Sequence, residues 1–526
     1  MRTPLIEDRL FLGLSGTLDR RDGFNDNDYL SRDVDYRKDI NGRLNLRWTP
    51  TDDWDISASL DRERLRDGAF PLNFRDEVLN NPYHANYNVE GKNERDVKGA
   101  SFRVRYSAPW FDVTSISAFR EYDDLAWNDQ DFMPYDMATA LENINNRQFT
   151  QELRFSSPDD GRDTKWVGGL YYYKTDEDHA LDLNYGQDAV YMGLVPMVMS
   201  KLDRSNLKTD GYAIFGQVTQ TFFDKLDLTA GLRYEYGDSQ IKYRTHMEAG
   251  GMTLFPATFI NKSLDDSQWL PKFQVAYNWT DDLMTYVSAA KGYRSGGFNS
   301  SSVTEDQIAF DPEHSWNYEA GFKSAWIDHR LTLNGAFFYI DLKNQQITQT
   351  LPTADMFIKN AGKSRSLGFE LEAAAKLTEN LTLDAGLGYT DSKYKSHFDP
   401  VTGVSYTGNR TPIAPKYTYN LGLQYRHLIG ESNLFGGTED VYFFSRAELQ
   451  GVGPFYWDDA NALKQSGYGL VNLRLGLESE HLDLIFWGKN ILGKDYQCVS
   501  FGFLGTDALA QAGDPRTFGV TLRAKF

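Results

Sequence analysis

The sequence predicts an all-β fold: a transmembrane antiparallel β-barrel of about twenty strands, with short periplasmic turns and long extracellular loops. Three observations lead to this prediction. Apolar and polar residues alternate through most of the 526-residue chain, short and long connections follow one another in turn, and the last strand is amphipathic and ends on Phe526.

Composition narrows the class of protein. A net charge of −19 argues against nucleic-acid binding, which needs a cationic footprint to displace counterions. Mean hydropathy is −0.54. The chain has no run of about 18 apolar residues, so transmembrane helices are excluded, whereas strands that are apolar at every second position are not. The single cysteine, Cys498, can form neither an internal disulfide nor a cysteine-rich zinc site.

Individual strands are recognised by a period of two. Between Leu226 and Tyr236 the even positions are apolar or aromatic, and most of the odd positions are polar. The segment from Phe518 to Phe526 alternates in the same way, with Gly, Thr, Arg and Lys between apolar residues. Such alternation indicates a strand with one apolar and one polar face.

The connections are as informative as the strands. Short turns are predicted at TPTDDW, SAPWFD, FFDKLD, WTDDLM, WIDHRL and LTENLT, that is, residues 49–54, 107–112, 222–227, 279–284, 326–331 and 377–382. Long polar segments are expected at 61–96, 122–147, 175–210, 237–267 and 391–415. Outer-membrane barrels alternate in this way. A soluble propeller or tandem sandwiches would instead repeat about every 40–50 residues, and no such period is found.

Aromatic residues suggest which end of each strand meets the membrane surface. In a membrane barrel the apolar face points to lipid and the polar face to the lumen. Tryptophans beside the predicted short turns suit an interfacial girdle; they are Trp48, Trp54, Trp110, Trp166, Trp279 and Trp326.

Longer motifs resemble a known family. NNRQFTQELRFSS, GYAIFGQVTQTFFDKLDLTAGLRYE, YVSAAKGYRSGGFN, FDPEHSWNYEAGFK, NAGKSRSLGFELE, APKYTYNLGLQY, WGKNILGKDY and GDPRTFGVTLRAKF occur in this order. Together they resemble the barrel of TonB-dependent outer-membrane receptors of the siderophore-receptor-like branch. The resemblance runs from about Leu10 to Phe526, so residues 1–526 are expected to form the barrel domain.

The amino-terminal part departs from that family. Its members begin with a signal peptide, an energy-coupling box and a plug domain, followed by a 22-stranded barrel. Here residues 4–23 resemble the turn before the third strand, so we expect the signal, box, plug and first hairpin to lie outside this chain. Twenty strands would then either close with altered shear or leave an exposed seam, which predicts poor stability of the chain alone.

The resemblance implies a function. It points to an energy-coupled import receptor in the cell outer membrane, for a ferric siderophore or a similar bulky iron chelate, without enzymatic activity or a cofactor. The implied partners are outer-membrane lipid, a plug domain, the TonB–ExbB–ExbD energy complex and the barrel-assembly machinery, which would read Phe526 as its signal. The alternatives are a receptor for haem, cobalamin or an oligosaccharide, a passive channel, or an outer-membrane enzyme or adhesin.

Candidate site residues follow from the alternation and the resemblance. Charged residues expected to face the lumen and hold the plug are Glu152, Arg154, Arg233, Glu235, Glu319, Lys323, Glu370 and Glu372. Gly321 and Gly368 share those faces and would let another backbone approach. Candidate ligand-binding residues are Arg294, Phe298, Asn299 and Trp127, since aromatic and amide groups orient bulky ligands and a guanidinium binds oxygen anions.

Other kinds of site have little support in the sequence. The eight histidines are scattered and form no pair at metal-ligand spacing. His314 lies where haem-receptor relatives carry a ligand-associated segment, but the strings that surround it in those relatives are missing, so a structural role is expected. Gly-x-Ser-x-Gly and phosphate-binding glycine-rich loops do not occur.

Overall fold

The computed structural model describes residues 2–301, 304–350, 356–360, 362–399, 402–433, 438–503 and 507–525. Within these ranges there are two helices, α1 (Arg75–Asn80) and α2 (Gln187–Tyr191), and both are short. Among the described residues, no helix has the length and apolar character needed to cross a membrane.

Strands make up most of the molecule. The first half contains β1 (Arg2–Ile6), β2 (Leu10–Arg21), β3 (Asp26–Asn27), β4 (Arg32–Asp33), β5 (Arg37–Trp48), β6 (Trp54–Asp67), β7 (Asn73–Phe74), β8 (His84–Ala85), β9 (Lys92–Ser107), β10 (Asp112–Asp129), β11 (Ala138–Ser156), β12 (Thr164–Tyr185), β13 (Met199–Phe222), β14 (Leu226–Ala249), β15 (Met252–Thr253) and β16 (Thr258–Thr280). The second half contains β17 (Leu283–Arg294), β18 (Gly297–Phe298), β19 (Ala309–Phe310), β20 (Glu313–Trp326), β21 (Leu331–Lys343), β22 (Gln346–Thr350), β23 (Met356–Asn360), β24 (Lys363–Lys376), β25 (Leu381–Ser396), β26 (Phe398–Asp399), β27 (Val404–Ser405), β28 (Tyr417–Ser432), β29 (Glu439–Val452), β30 (Phe455–Tyr456), β31 (Lys464–Gln465), β32 (Tyr468–Glu478), β33 (Leu482–Lys489), β34 (Gln497–Phe503), β35 (Asp507–Ala512) and β36 (Thr517–Ala524).

One large antiparallel sheet forms the wall of the molecule. Within the described residues it holds 22 strands. Because β15 is a two-residue strand that only folds back onto the end of β14, 21 strands make up the wall. Each wall strand between β1 and β36 pairs with the wall strand that precedes it and the one that follows it in the chain. The prediction of an all-β antiparallel sheet of about twenty strands is therefore confirmed.

The six predicted short turns lie where the sequence placed them, but the long loops are shorter than expected. The segment expected as a loop at 122–147 contains only an eight-residue connection, 130–137, because β10 and β11 continue to pair as far as Asp129 and Thr139. Likewise β12 and β13 pair up to Tyr185 and Met199. These strand extensions carry polar residues on both faces, so the hydrophobic alternation stops although the hydrogen-bonded ladder does not.

The apolar face of the sheet points outward. Leu170, Ile214 and Phe337 are 53%, 56% and 66% exposed, and their sequence neighbours on the other face are more covered. A band of exposed apolar side chains of this size is characteristic of a lipid-facing wall. Trp48, Trp54, Trp110, Trp279 and Trp326 are exposed at the short-turn end, as a girdle requires, and Trp166 lies partly covered at the same end.

The two end strands of the sheet each have one partner among the described residues. β1 pairs only with β2, over Arg2–Ile6, and β36 pairs only with β33. Among the described residues, β2 therefore has no outer neighbour from Ser15 to Arg21. Of the two outcomes expected for about twenty strands, the described structure shows the seam rather than the altered closure.

The connections at the long-loop end fold over the upper wall. Phe298 and Ile308, from the connection after β17, pack with Ile241, Tyr243 and Ile260 of β14 and β16. A second buried cluster joins Val34, Ala85 and Tyr87 from two other connections. The upper wall thus has its own small hydrophobic cores, formed by loops packed on strands.

Candidate functional site

The predicted plug-facing residues all lie on the face opposite the lipid. On β11, β14, β20 and β24 they alternate with outward apolar residues such as Phe155, Leu232, Tyr318 and Leu371, each at least 37% exposed. In a strand, neighbouring side chains point to opposite faces, so the charged residues line the inner surface. The structure therefore brings all of them to one surface, the lumen; whether they hold a plug remains a prediction.

Two of the predicted pairs are bonded within their own strand. The Arg233 guanidinium lies 2.7 Å from the Glu235 carboxylate, and it is also 5.5 and 5.7 Å from the ring centroids of Tyr171 and Phe215. Arg154 donates from Nε to Glu152 Oε1 at 2.8 Å. These four charges satisfy one another, so they shape and hydrate the wall without leaving a free charge.

The remaining lumen charges differ from those pairs. Glu319 accepts a hydrogen bond of 2.6 Å from the Tyr286 hydroxyl. Lys323, Glu370 and Glu372 are exposed, and no hydrogen bond or ion pair to them is found within the described part of the chain. This side of the lumen therefore presents a lysine and two carboxylates that are free to bind another molecule.

The expectation for Gly321 and Gly368 was wrong. A Cβ at Gly321 would lie 2.8 Å from the Tyr286 ring, and one at Gly368 would lie 2.5 Å from the Phe338 ring. Aromatic rings of neighbouring strands already cover both glycines. The absence of a side chain therefore makes room for the barrel's own rings, and no space is left for a second backbone.

The sequence reasoning missed an ion network on the same inner face. Arg446 of β29 donates to Asp384 of β25 at 2.8 Å and to Glu448 at 2.7 Å. Its guanidinium reaches across β28 at Gly422, where a Cβ would lie 2.4 Å from Asp384 and 2.5 Å from Arg446. Alternation could place these charges inside the barrel, but only the strand register shows that they meet.

The candidate ligand residues separate into different environments. Arg294, the last residue of β17, is exposed, and no acidic partner is found for it among the described residues. It lies on the same strand face as Tyr286, whose hydroxyl contacts the lumen residue Glu319. Arg294 is thus an available cation at the upper rim of the lumen.

Phe298 and Asn299 lie inside the loop rather than on its surface. Phe298 is 7% exposed within the upper hydrophobic core. Asn299 is 8% exposed and makes three hydrogen bonds. Its Nδ2 donates to the carbonyls of Gln307 and Ile358 at 2.8 and 2.9 Å, and its Oδ1 accepts from the Ile358 amide at 2.8 Å. In this conformation both side chains hold the loop together, so neither is presented to a ligand.

Trp127 was expected in a ligand-binding loop, and the structure places it in a strand. Trp127 is still in β10, where alternation from Phe119 places it on the outward face. The following acidic residues fold the turn: Asp129 accepts from the amides of Asp131 and Phe132, and Asp131 accepts from those of Met133 and Ala138. Burial raises the pKa of Asp131. This segment builds its own connection, and its tryptophan faces away from the lumen.

Two further expectations concern single residues. His314 is partly covered, with Nδ1 buried and unbonded. In the part of the chain that is described, no group of three His, Cys, Asp or Glu residues could hold a metal ion. Phe526, the expected assembly signal, lies outside the described residues; the preceding outward residues Phe518, Val520 and Leu522 are 69%, 57% and 67% exposed.

Comparison with known proteins gives a consistent result. Residues 61–491 match the family model described as TonB dependent receptor-like, beta-barrel. The pesticin receptor of Yersinia pestis is 27% identical over 452 residues, which cover 82% of this chain. The chain spans 62% of the length of that relative.

Solved structures share the fold. The ferric yersiniabactin uptake receptor FyuA from Yersinia pestis superposes with a TM-score of 0.83 at 23% identity, covering 100% of this chain and 77% of that chain. The siderophore receptor PiuA from Acinetobacter baumannii gives a TM-score of 0.76 at 15% identity, with coverages of 98% and 77%. The family match covers most of the chain, and the sheet has the lipid-facing wall that this family requires. This chain is therefore an outer-membrane protein that belongs to the TonB-dependent receptor-like β-barrel family.

Proposed function

We propose that residues 1–526 form the barrel domain of a receptor that imports a ferric siderophore or a similar iron chelate by energy coupling. In this proposal a plug domain outside this chain fills the lumen, and the TonB–ExbB–ExbD complex displaces it. The observation that carries the proposal is the set of free charges on the inner wall, namely Lys323, Glu370 and Glu372.

Those charges suit a removable plug. Barrels of 22 strands in outer-membrane transporters enclose a lumen that is plugged rather than filled by strand side chains. Exposed ionic contacts contribute only about 0–1 kcal/mol each, so several of them seat a domain without fixing it irreversibly. The bonded pairs Arg233–Glu235 and Glu152–Arg154 provide a hydrated surface beside them.

Arg294 supports an anionic ligand. It stands at the end of β17 as an exposed guanidinium, and guanidinium groups bind oxygen anions bidentately. The named relatives include a ferric yersiniabactin uptake receptor and a siderophore receptor. In the proposal, Arg294 contacts the chelate directly. Phe298 and Asn299 act by holding the neighbouring loop, and Trp127 makes no contact with the chelate.

Charge-neutralising variants test the plug contacts. In the full receptor, Glu370→Gln with Glu372→Gln should weaken retention of the plug in detergent and increase single-channel conductance. Glu379→Gln, in the exposed turn after β24, is the matched control and should change neither. Unchanged plug retention and conductance in the double variant would contradict the assigned role of these two residues.

Growth under iron limitation tests the substrate class. Deleting the gene should abolish growth on one ferric siderophore supplied as the sole iron source, and the intact gene should restore it. If uptake of every ferric chelate were unaffected, a receptor for haem, cobalamin or an oligosaccharide would replace this proposal. Large, steady openings of the intact receptor would instead indicate a passive channel.

A further inference from the structure

A groove crosses the outer wall of the upper barrel, away from the lumen. Its volume is about 570 Å³, and it spans β11, β12, β13, β14 and β16. The residues beside it share a face with the lipid-facing side chains lower on the same strands, such as Leu170 and Ile214. The groove therefore opens to the outside of the barrel.

Two rows of side chains border the groove, each running straight across the five strands. In the lower row the directly paired residues are Asn145, Asp178, Asn206, Lys242 and Asn261. In the upper row they are Asn143, Ala180, Arg204, Arg244 and Phe259. The two rows thus place four amides, one carboxylate and three cationic groups over five strands, which at about 4.8 Å per strand is a length of roughly 20 Å.

The upper row contains a like-charge pair. Arg204 and Arg244 are direct cross-strand neighbours on β13 and β14. Arg204 lies 2.5 Å from Asp182, whereas Arg244 has no acidic partner among the described residues, and its guanidinium lies 5.6 Å from the Phe259 ring centroid. Like charges directly opposite each other destabilise a sheet, so a bound anion would relieve this pair.

Lys242 adds a third positive charge beside that pair. It is two residues from Arg244 on the same face of β14, it is exposed, and no bonded partner is found for it in the described ranges. Two guanidinium groups and an ammonium in one groove match a phosphate dianion, which accepts several charge-assisted hydrogen bonds at once.

The height of the groove indicates what can reach it. On β14 the outward aromatic residues end at Tyr236, and Lys242 and Arg244 follow six and eight residues later. At about 3.3 Å per residue this is roughly 20–26 Å farther along the strand. Because the strands are tilted by about 35–45°, the groove lies well above the hydrocarbon layer, at the level of surface sugars.

We propose that this groove binds a phosphorylated oligosaccharide of the bacterial outer leaflet. Its phosphate would lie between Arg204, Arg244 and Lys242, and the exposed Phe259 ring would contact the apolar face of a sugar. Asn143 and Asn261 can donate to and accept from sugar hydroxyls, whereas Asn206, whose amide already donates to Asp176 and Asp178, can accept from them. The groove thus holds surface glycan against the barrel wall, independently of ligand import through the lumen.

Binding of a lipid-free oligosaccharide tests the inference. The receptor, purified from outer membranes in detergent, is titrated with the core oligosaccharide released from lipopolysaccharide by mild acid. Lys242→Gln combined with Arg244→Gln should weaken binding at least tenfold, since two charge-assisted contacts are lost. Arg64→Gln is the matched control, because Arg64 is an outward cation on β6 far from the groove and paired with Asp96. It should change the affinity less than twofold.

The chemistry of the ligand is tested with two more probes. Dephosphorylated oligosaccharide should bind at least tenfold more weakly than the phosphorylated form, and inorganic phosphate should bind more weakly still. Equal affinity of phosphate and oligosaccharide would overturn the assignment to a glycan, and an equal loss in Arg64→Gln would overturn the assignment to this groove.

Thermal unfolding separates binding from a structural role. Without oligosaccharide, Arg244→Gln should leave the unfolding midpoint unchanged or raise it, because Arg204 no longer faces a like charge. A lowered midpoint with unchanged oligosaccharide affinity would show that Arg244 serves stability, and would overturn the proposal.

Discussion

Replacing Asn299 by alanine should open the connection after β17 while leaving the barrel wall intact. The side chain is 8% exposed and makes three hydrogen bonds, two to carbonyls and one from the Ile358 amide. At about 1–1.5 kcal/mol for each bond, and with buried partners left unpaired, the local cost is about 3 kcal/mol. This corresponds to an increase of about 100-fold in the population of the open loop.

Amide hydrogen exchange in detergent micelles measures this effect. Exchange of the amides around Ile308 and Ile358 should become about 100-fold faster in Asn299→Ala, because local opening limits their exchange. Amides in the paired region of β13 and β14 should keep their protection. Asn41→Ala is the matched control, since Asn41 is exposed on β5 and forms no side-chain hydrogen bond that is found in the described residues.

Unchanged exchange at Ile308 and Ile358 would refute the reasoning, because the three bonds would then contribute nothing to loop closure. Loss of protection throughout β13 and β14 would refute it in another way, since Asn299 would then stabilise the wall itself. A selective loss would also connect the loop to Arg294, which precedes it, and ligand affinity should fall in the same variant.

Three further predictions concern the inner wall, the seam and the single thiol. Gly422→Ala should lower the unfolding midpoint, because its Cβ would lie 2.4 Å from Asp384 and break the Arg446 network. Gly16→Ala is the control and should have no effect, because a Cβ there meets its nearest atom at 3.6 Å. The chain by itself should lack the heat-modifiable migration on detergent gels that marks a closed barrel, since within the described residues β36 and the segment Ser15–Arg21 of β2 each have a strand neighbour on one side only. A heat-modifiable band would contradict this. Desolvation raises the pKa of the Cys498 thiol, so its maleimide labelling at pH 7 should be slower than that of a small-molecule thiol. The labelling rate should increase as the pH rises above the usual thiol range, and a rate equal to that of the small-molecule thiol at pH 7 would show that the pKa is not raised.

Local sequence patterns predicted the strands and their faces. In β14, the residues between Leu226 and Tyr236 alternate as expected, and Arg233 and Glu235 point inward. This succeeds because the direction of a side chain in a strand depends only on its position along that strand. The same argument placed Glu370 and Glu372 on the inner wall.

The pattern failed where strands leave the membrane. Above Tyr236 the apolar face of β14 turns inward, where Ile241 and Tyr243 pack against a loop, and the outward face becomes polar. The outward hydrophobic pattern therefore ends, although pairing with β16 continues to Thr245. The expected loops at 122–147 and 175–210 were too long for this reason. A hydrophobic pattern reports the surroundings of a strand and cannot detect its hydrogen bonds.

The sequence by itself determined the fold class, the inward and outward faces, and the family resemblance, because each of these rests on residues near one another in the chain. Only the tertiary structure decided what covers each group. It buried Phe298 and Asn299, filled the space at Gly321 with the Tyr286 ring, and aligned Arg204 beside Arg244. These contacts join residues far apart in sequence, and they depend on the register of neighbouring strands and on how the loops pack against the wall.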